Sequence, residues 1–153
     1  MDEFEINIRE MTSDDAGLVY DTWLKSMWMQ CLKDREIADL PYLDKPMFLK
    51  EQRDRIKRCL MSPTSLRLVA SLPGYEYQVP GYVVAEAQSR RGFVLHFVYV
   101  RRAFRNLRIA TRLIKNAYPA LGEHELIYSQ HTSVMKHYLD KWRAKYNPFA
   151  IGG

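Results

Sequence analysis

The chain has 153 residues, 47% hydrophobic and 27% charged, with a formal net charge of +5. That balance excludes an intrinsically disordered chain and suits one core that closes without staples. No apolar run approaches the roughly 18 residues that span a bilayer. The acidic start, Met1-Asp2-Glu3-Phe4-Glu5, is unlike a basic leader. Cys31 and Cys59 are too few and too far apart for a metal knuckle, and His124, His131 and His137 lack ligand spacing, so no metal is expected. The expectation is a single domain over 1–153, cytoplasmic, without a membrane segment, and with both thiols reduced and buried.

Ile6 and Ile8 alternate with polar residues and predict a short strand. Thr12 and Asp15 stand at capping-box spacing, and Ala16, Val19, Tyr20, Trp23, Met27 and Cys31 follow at helical intervals. Asp34 to Pro46 reads as irregular, with Pro41 and Pro46 as breakers. A second helix opens near Asp44 and Pro46 and runs to about Met61, burying Phe48, Ile56, Cys59 and Leu60. The period then becomes extended: Leu66 to Ser71, Tyr82 to Ala87 and Phe93 to Val100 predict three strands in an antiparallel meander. Ile109, Ala110, Leu113, Ile114 and Ala117 mark one face of a helix that stops before Pro119. Leu126-Ile127-Tyr128 is a short strand, parallel to the Phe93 strand by the crossover rule. Ser133 caps a last helix through Val134, Met135, Tyr138, Leu139 and Trp142, and Asn147-Pro148-Phe149 reads as a closing edge strand, open to pairing with a second copy of the chain. The order β-α-α-β-β-β-α-β-α-β predicts an α/β fold with a mixed central sheet and helices on both faces.

One stretch concentrates positive charge without an acid: Arg101, Arg102, Arg105, Arg108, Arg112 and Lys115. Nucleic acid or a phosphorylated small molecule would answer it equally well. The stretch also has the layout of a strand, a loop and a helix start, which collects backbone N–H groups for phosphate.

That segment resembles motif A of the GNAT N-acetyltransferase superfamily: a strand ending in Val, then Arg/Gln-x-x-Gly-x-Gly/Ala at a helix start. Arg105-Asn106-Leu107-Arg108-Ile109-Ala110 matches at Arg105, Ile109 and Ala110. It departs at Arg108, where the family has Gly and lets the backbone approach a pyrophosphate. The resemblance implies a GNAT-like mixed sheet and acetyl-CoA as cosubstrate. Val98 and Val100 would pair with the pantetheine arm, and the Val98 N–H would polarise the thioester carbonyl. Arg105, Asn106, Leu107, Arg108, Ile109, Ala110 and Thr111 would hold the pyrophosphate.

His96 stands two residues before Val98, a spacing that places both on one side of the strand and makes His96 a candidate base. It also looks like a histidine of arylalkylamine acetyltransferases. Tyr138 resembles the family tyrosine that protonates the departing thiolate, although His131 replaces the motif's Asn. Trp23, Trp28 and Tyr42 are candidates for an amine-acceptor pocket. The reading is an N-acetyltransferase moving an acetyl group to a primary amine by direct transfer through a ternary complex. Its alternative is a GNAT-fold nucleic-acid-binding or structural protein without the activity.

Overall fold

The computed structural model describes residues 3–38, 44–88, 92–121, 125–130, 135, 138 and 140–150. The elements are β1 (Asn7–Glu10), α1 (Ala16–Ala38), α2 (Lys45–Met61), β2 (Ser65–Ser71), β3 (Gly81–Gln88), β4 (Gly92–Val100), α3 (Ile109–Ala117), β5 (Leu126–Tyr128) and β6 (Ala144–Tyr146). They build one six-stranded sheet in sequential order, antiparallel from β1 to β4 and parallel from β4 to β6. The meander and the parallel β4–β5 neighbours are as the pattern predicts. This is a mixed α/β sheet of the expected kind.

Helices cover both faces. Val19, Trp23 and Leu24 of α1 and Ile56, Cys59 and Leu60 of α2 pack on Val69, Tyr82, Val84 and Phe97. Ile109, Ala110, Leu113 and Ile114 of α3 pack on Val83, Ala85, Leu95, Val98 and Val100. Fully burying one such aliphatic side chain gains roughly 1.5–3 kcal/mol, so each face is a core in its own right. The capping box is present: the Thr12 N–H donates to Asp15 at 2.8 Å, and Arg9 reaches the same carboxylate at 2.9 Å. At α2, Asp44 accepts from the Met47 N–H. Gly81 leaves no room for a side chain, since a Cβ there would stand 2.5 Å from the Tyr99 carbonyl oxygen.

Four local expectations are corrected. Residues from Asp34 to Ala38 are helical rather than irregular, because nothing before Pro41 breaks the run of helix formers. The last strand is Ala144–Tyr146 and not Asn147 to Phe149. Pro148 has no N–H for a ladder, and the Asn147 side chain accepts from the Phe149 N–H in a turn. Residues 140–143 form a turn, so Trp142 lies beyond the last helix. Cys31 is half-buried, whereas Cys59 is buried and has its thiol pushed up to about 12 by desolvation and the nearby Glu86 charge. Ser133, Val134 and Leu139 lie outside the described residues, but Met135 and Tyr138 are helical. No helix among the described residues is long and apolar enough to cross a membrane.

Candidate active site

β4 opens the sheet. β5 pairs with it at Val94↔Ile127 and Leu95↔Tyr128, and the Ser129 N–H then donates to the Leu95 carbonyl at 3.0 Å. β5 ends there, while β4 runs on to Val100. Rungs of an antiparallel pair alternate between facing the partner and facing away. The Arg101 N–H donates to the Pro80 carbonyl at 2.7 Å, which makes Tyr99↔Tyr82 and Phe97↔Val84 the hydrogen-bonded pairs. Val98 and Val100 therefore turn their main-chain N–H and C=O groups toward the gap beyond β5. Arg105 already occupies one of these groups: its Nε donates to the Val100 carbonyl at 3.3 Å.

A cavity of about 490 Å³ lies between this stretch and α1. Phe97, Val98, Tyr99 and Val100 form one wall, and Asp21, Lys25, Met29 and their α1 neighbours form the other, with Arg105 alongside. Trp23 does not line it. Trp23 is fully buried, stacked on Phe97 at 5.0 Å, with its indole N–H donating to Gln130 at 2.7 Å. Trp28 packs on Phe48 and carries the Lys45 ammonium over its ring, also away from the cavity lining. Tyr42, His124, His131 and His137 lie outside the described residues.

Beyond β4 the chain makes a 3-10 turn, Arg102–Phe104, and enters α3 through an unusual loop. Asn106 (φ 69°) and Arg108 (φ 61°) are left-handed, and Arg108 is the N-cap of α3. Left-handed residues on either side of Leu107 gather successive N–H groups into a concave nest. No described residue accepts from the backbone N–H groups of Asn106 to Thr111. Arg108 thus adopts the very conformation that glycine favours, carrying a Cβ that costs roughly 1–2 kcal/mol there. Arg108→Gly relieves that strain at some cost in chain entropy, and the expected net gain is about 0.5–1 kcal/mol. A thermal melt checks this: the midpoint should rise by roughly 2 °C, and a fall would show that Arg108 is not strained.

His96 faces the opposite side from the one its spacing implies. The register slips by one residue between Val84 and Ala85, which face Phe97 and Leu95, leaving His96 as the extra residue of a bulge. Leu95 and Val98 then share the α3 face, while Phe97 and His96 share the face of α1 and α2. The imidazole is fully buried and engaged at both nitrogens. Nδ1 meets Ser129 Oγ at 2.6 Å, and Nε2 meets Glu86 Oε2 at 2.5 Å. Thr64 donates to the other Glu86 oxygen at 2.9 Å. Burial lowers the His96 pKa and outweighs the upward pull of Glu86. Burial also raises the Glu86 pKa, but hydrogen bonds from Ser62, His96 and Thr64 together outweigh it and leave a net lowering. The pair therefore holds a neutral imidazole donating from Nε2 to a carboxylate, with Ser129 donating to Nδ1.

Sequence reasoning missed Glu86, Ser129 and Gln130. The one available signal was an acid within the apolar run Tyr82-Val83-Val84-Ala85-Glu86-Ala87. Tyr138 packs against the α3-side core, stacked on Trp142 at 4.1 Å, and is not among the residues lining the cavity. The structure therefore brings together Val98, Val100 and the loop from Arg105 to Thr111, and it separates Tyr138 from His96 by the sheet.

No protein-family model and no curated protein matches the chain. Solved structures do. One is a Pyrococcus furiosus protein assigned as an acetyltransferase, at 13% identity over 90% of this chain and 91% of that one, with a TM-score of 0.57. A Bacillus subtilis protein, also assigned as an acetyltransferase, matches at 13% identity over 91% and 89%, with a TM-score of 0.57. The ribosomal-protein-alanine N-acetyltransferase of Brucella melitensis biovar Abortus matches at 17% identity over 96% of both chains, with a TM-score of 0.51. The chain has the fold of the GNAT acetyltransferases.

Proposed function

We propose that the protein is an acetyl-CoA-dependent N-acetyltransferase that moves an acetyl group to a primary amine by direct transfer in a ternary complex. The observation that carries this reading is the edge of β4 beyond Leu95, which no described strand pairs with, leading directly into a nest of N–H groups at the start of α3 that no described residue accepts from. An extended pantetheine arm can add to that edge as a strand would. The Val98 N–H would then polarise the thioester carbonyl as negative charge develops on it. Val100 offers its N–H, and its carbonyl becomes available once the Arg105 side chain swings away.

The pyrophosphate would take the N–H groups from Asn106 to Thr111 together with the Arg105 and Arg108 guanidiniums. The amine would enter the cavity beside α1, where Asp21 is the acidic group of the lining. Its neutral nitrogen attacks the carbonyl carbon, the C–S bond breaks, Tyr138 protonates the thiolate, and the proton that the nitrogen loses passes through solvent to restore the Tyr138 hydroxyl. Both His96 nitrogens are engaged, so His96 reaches a substrate proton only through Ser129. We assign it as a positioning residue at the apex of the gap.

Titration with acetyl-CoA tests the reading. At 100 times its dissociation constant the ligand should stabilise the fold by about 2.7 kcal/mol. No shift at millimolar acetyl-CoA, in protein shown free of CoA, would sink the proposal. Tyr138→Phe should lower turnover by roughly 100-fold while leaving acetyl-CoA affinity in place. The basic loop favours a second reading, a nucleic-acid-binding module, which predicts instead a steeply salt-dependent affinity for DNA or RNA and no CoA binding.

A further inference from the structure

The cavity between β4 and α1 carries a charge pattern that the transfer step does not use. Asp21 and Lys25 line it from α1, both exposed and four residues apart. That spacing is one helical turn, on the order of 6 Å along the axis. An acid four residues before a lysine is the order that forms a pair on a helix surface. Yet neither side chain makes an ion pair, with the other or with any described residue. The third charged group of the lining is Arg105, whose Nε is already spent on the Val100 carbonyl. The Thr22 hydroxyl is likewise committed, to the Leu18 carbonyl at 2.7 Å and the Tyr82 hydroxyl at 2.6 Å. Asp21 and Lys25 are therefore the charges left for an acceptor.

A carboxylate and an ammonium one turn apart complement an ammonium and a carboxylate held on one carbon. That is the head of a free amino acid, and each contact would be a charge-assisted hydrogen bond. Leu18 and Met29 of α1 and Phe97 and Val98 of β4 supply apolar surface to the same cavity. A short methylene chain gains from lying on such surface, and Val98 is where the thioester carbonyl is proposed to sit. An α-amine bound to Asp21 stays protonated and cannot attack, so the reacting nitrogen belongs at the far end of the chain. A lysine within a protein offers neither head charge, because both groups are tied up in peptide bonds.

We infer that the acceptor is a free diamino acid, held by its head between Asp21 and Lys25 and acetylated on its side-chain amine. The inference rests on the acetyl-CoA reading of the site and names its substrate class. The side-chain nitrogen forms the amide bond as the C–S bond breaks. CoA leaves as the thiol, and the proton lost by the nitrogen replaces the one that Tyr138 gave.

The test compares kcat/KM for acetyl transfer from acetyl-CoA to L-lysine and L-ornithine with that for three analogues. The analogues are 1,5-diaminopentane, which lacks the carboxylate, 6-aminohexanoate, which lacks the α-amine, and Nα-acetyl-lysine amide, which lacks both charges. The better diamino acid should exceed each analogue by roughly tenfold or more, the worth of one charge-assisted hydrogen bond. Lys25→Met should erase the preference over 1,5-diaminopentane, and Asp21→Asn the preference over 6-aminohexanoate. Both positions are exposed, and an unchanged melting temperature confirms that each variant folds. Proton NMR of the product should place the acetyl group on the side-chain nitrogen. Equal rates for diamino acids and analogues, preferences that persist in the variants, or an acetyl group on the α-nitrogen each overturn the inference. So does a chain that binds acetyl-CoA and acetylates none of these amines, and all four results leave the acetyl-CoA reading intact. If acetyl-CoA itself does not bind, both readings fall together.

Discussion

Glu86→Ala should lower the free energy of unfolding by roughly 3–5 kcal/mol, seen as a large fall in the urea midpoint. The Glu86 carboxylate is fully buried and accepts from His96 and Thr64. Removing it leaves the imidazole Nε2–H without an acceptor in a site that water does not reach. His96→Ala strands the carboxylate instead and should cost a comparable amount. The two losses should therefore fall well short of adding in the double variant, which a double-mutant cycle measures directly. Replacing both residues by apolar ones of similar volume should recover most of the stability, since a buried polar pair is often no better than packed hydrocarbon.

The same pair fixes the sign of the pH dependence. His96 has a folded pKa below its ordinary value of 6.5, so its contribution is complete above that value and is lost as pH falls through the lower folded pKa. Glu86 has the same sign at lower pH, because its folded pKa lies below the ordinary 4.5. The melting temperature should therefore decline from pH 7 toward pH 5 and continue to fall below it. A flat profile between pH 7 and 5 would rule out a neutral His96 in the folded chain.

Thr111→Glu should separate stability from binding. Thr111 is the third residue of α3, after the Arg108 cap. A carboxylate in the first turn interacts favourably with the helix dipole, worth about 0.3–1 kcal/mol, so the melting temperature should hold or rise. The same carboxylate would stand among the N–H groups proposed for the pyrophosphate. At an effective dielectric near 20, one added charge about 5 Å from each phosphate repels it by roughly 3 kcal/mol. Acetyl-CoA affinity should therefore fall by about 100-fold or more. Thr111→Val, which removes the hydroxyl without adding charge, should lose far less. Equal affinity in Thr111→Glu and the native chain would move the pyrophosphate away from α3.

Much of the fold was legible from the sequence because its signals are local. The alternation at Ile6 and Ile8, the capping box of Thr12 and Asp15, the β-branched run into Val100 and the apolar face of Ile109, Leu113 and Ile114 each report the backbone of their own segment. The helix-period and strand-period stretches also occur in an order that few topologies accommodate. The basic strand-loop-helix segment was visible for the same reason, and so was the departure at Arg108.

Tertiary structure decided what depends on phase and distance. A period-two argument placed His96 beside Val98, but one bulge residue shifts the alternation and sends His96 to the other face. Glu86, His96 and Ser129 meet only after β3, β4 and β5 take their register, and no local pattern encodes that register. The sequence could show that Arg108 replaces glycine. Only the folded backbone shows that arginine accepts the left-handed conformation that glycine would have taken. Local periodicity selects dihedrals and faces, whereas packing between distant segments selects partners, and the candidate site is made of partners.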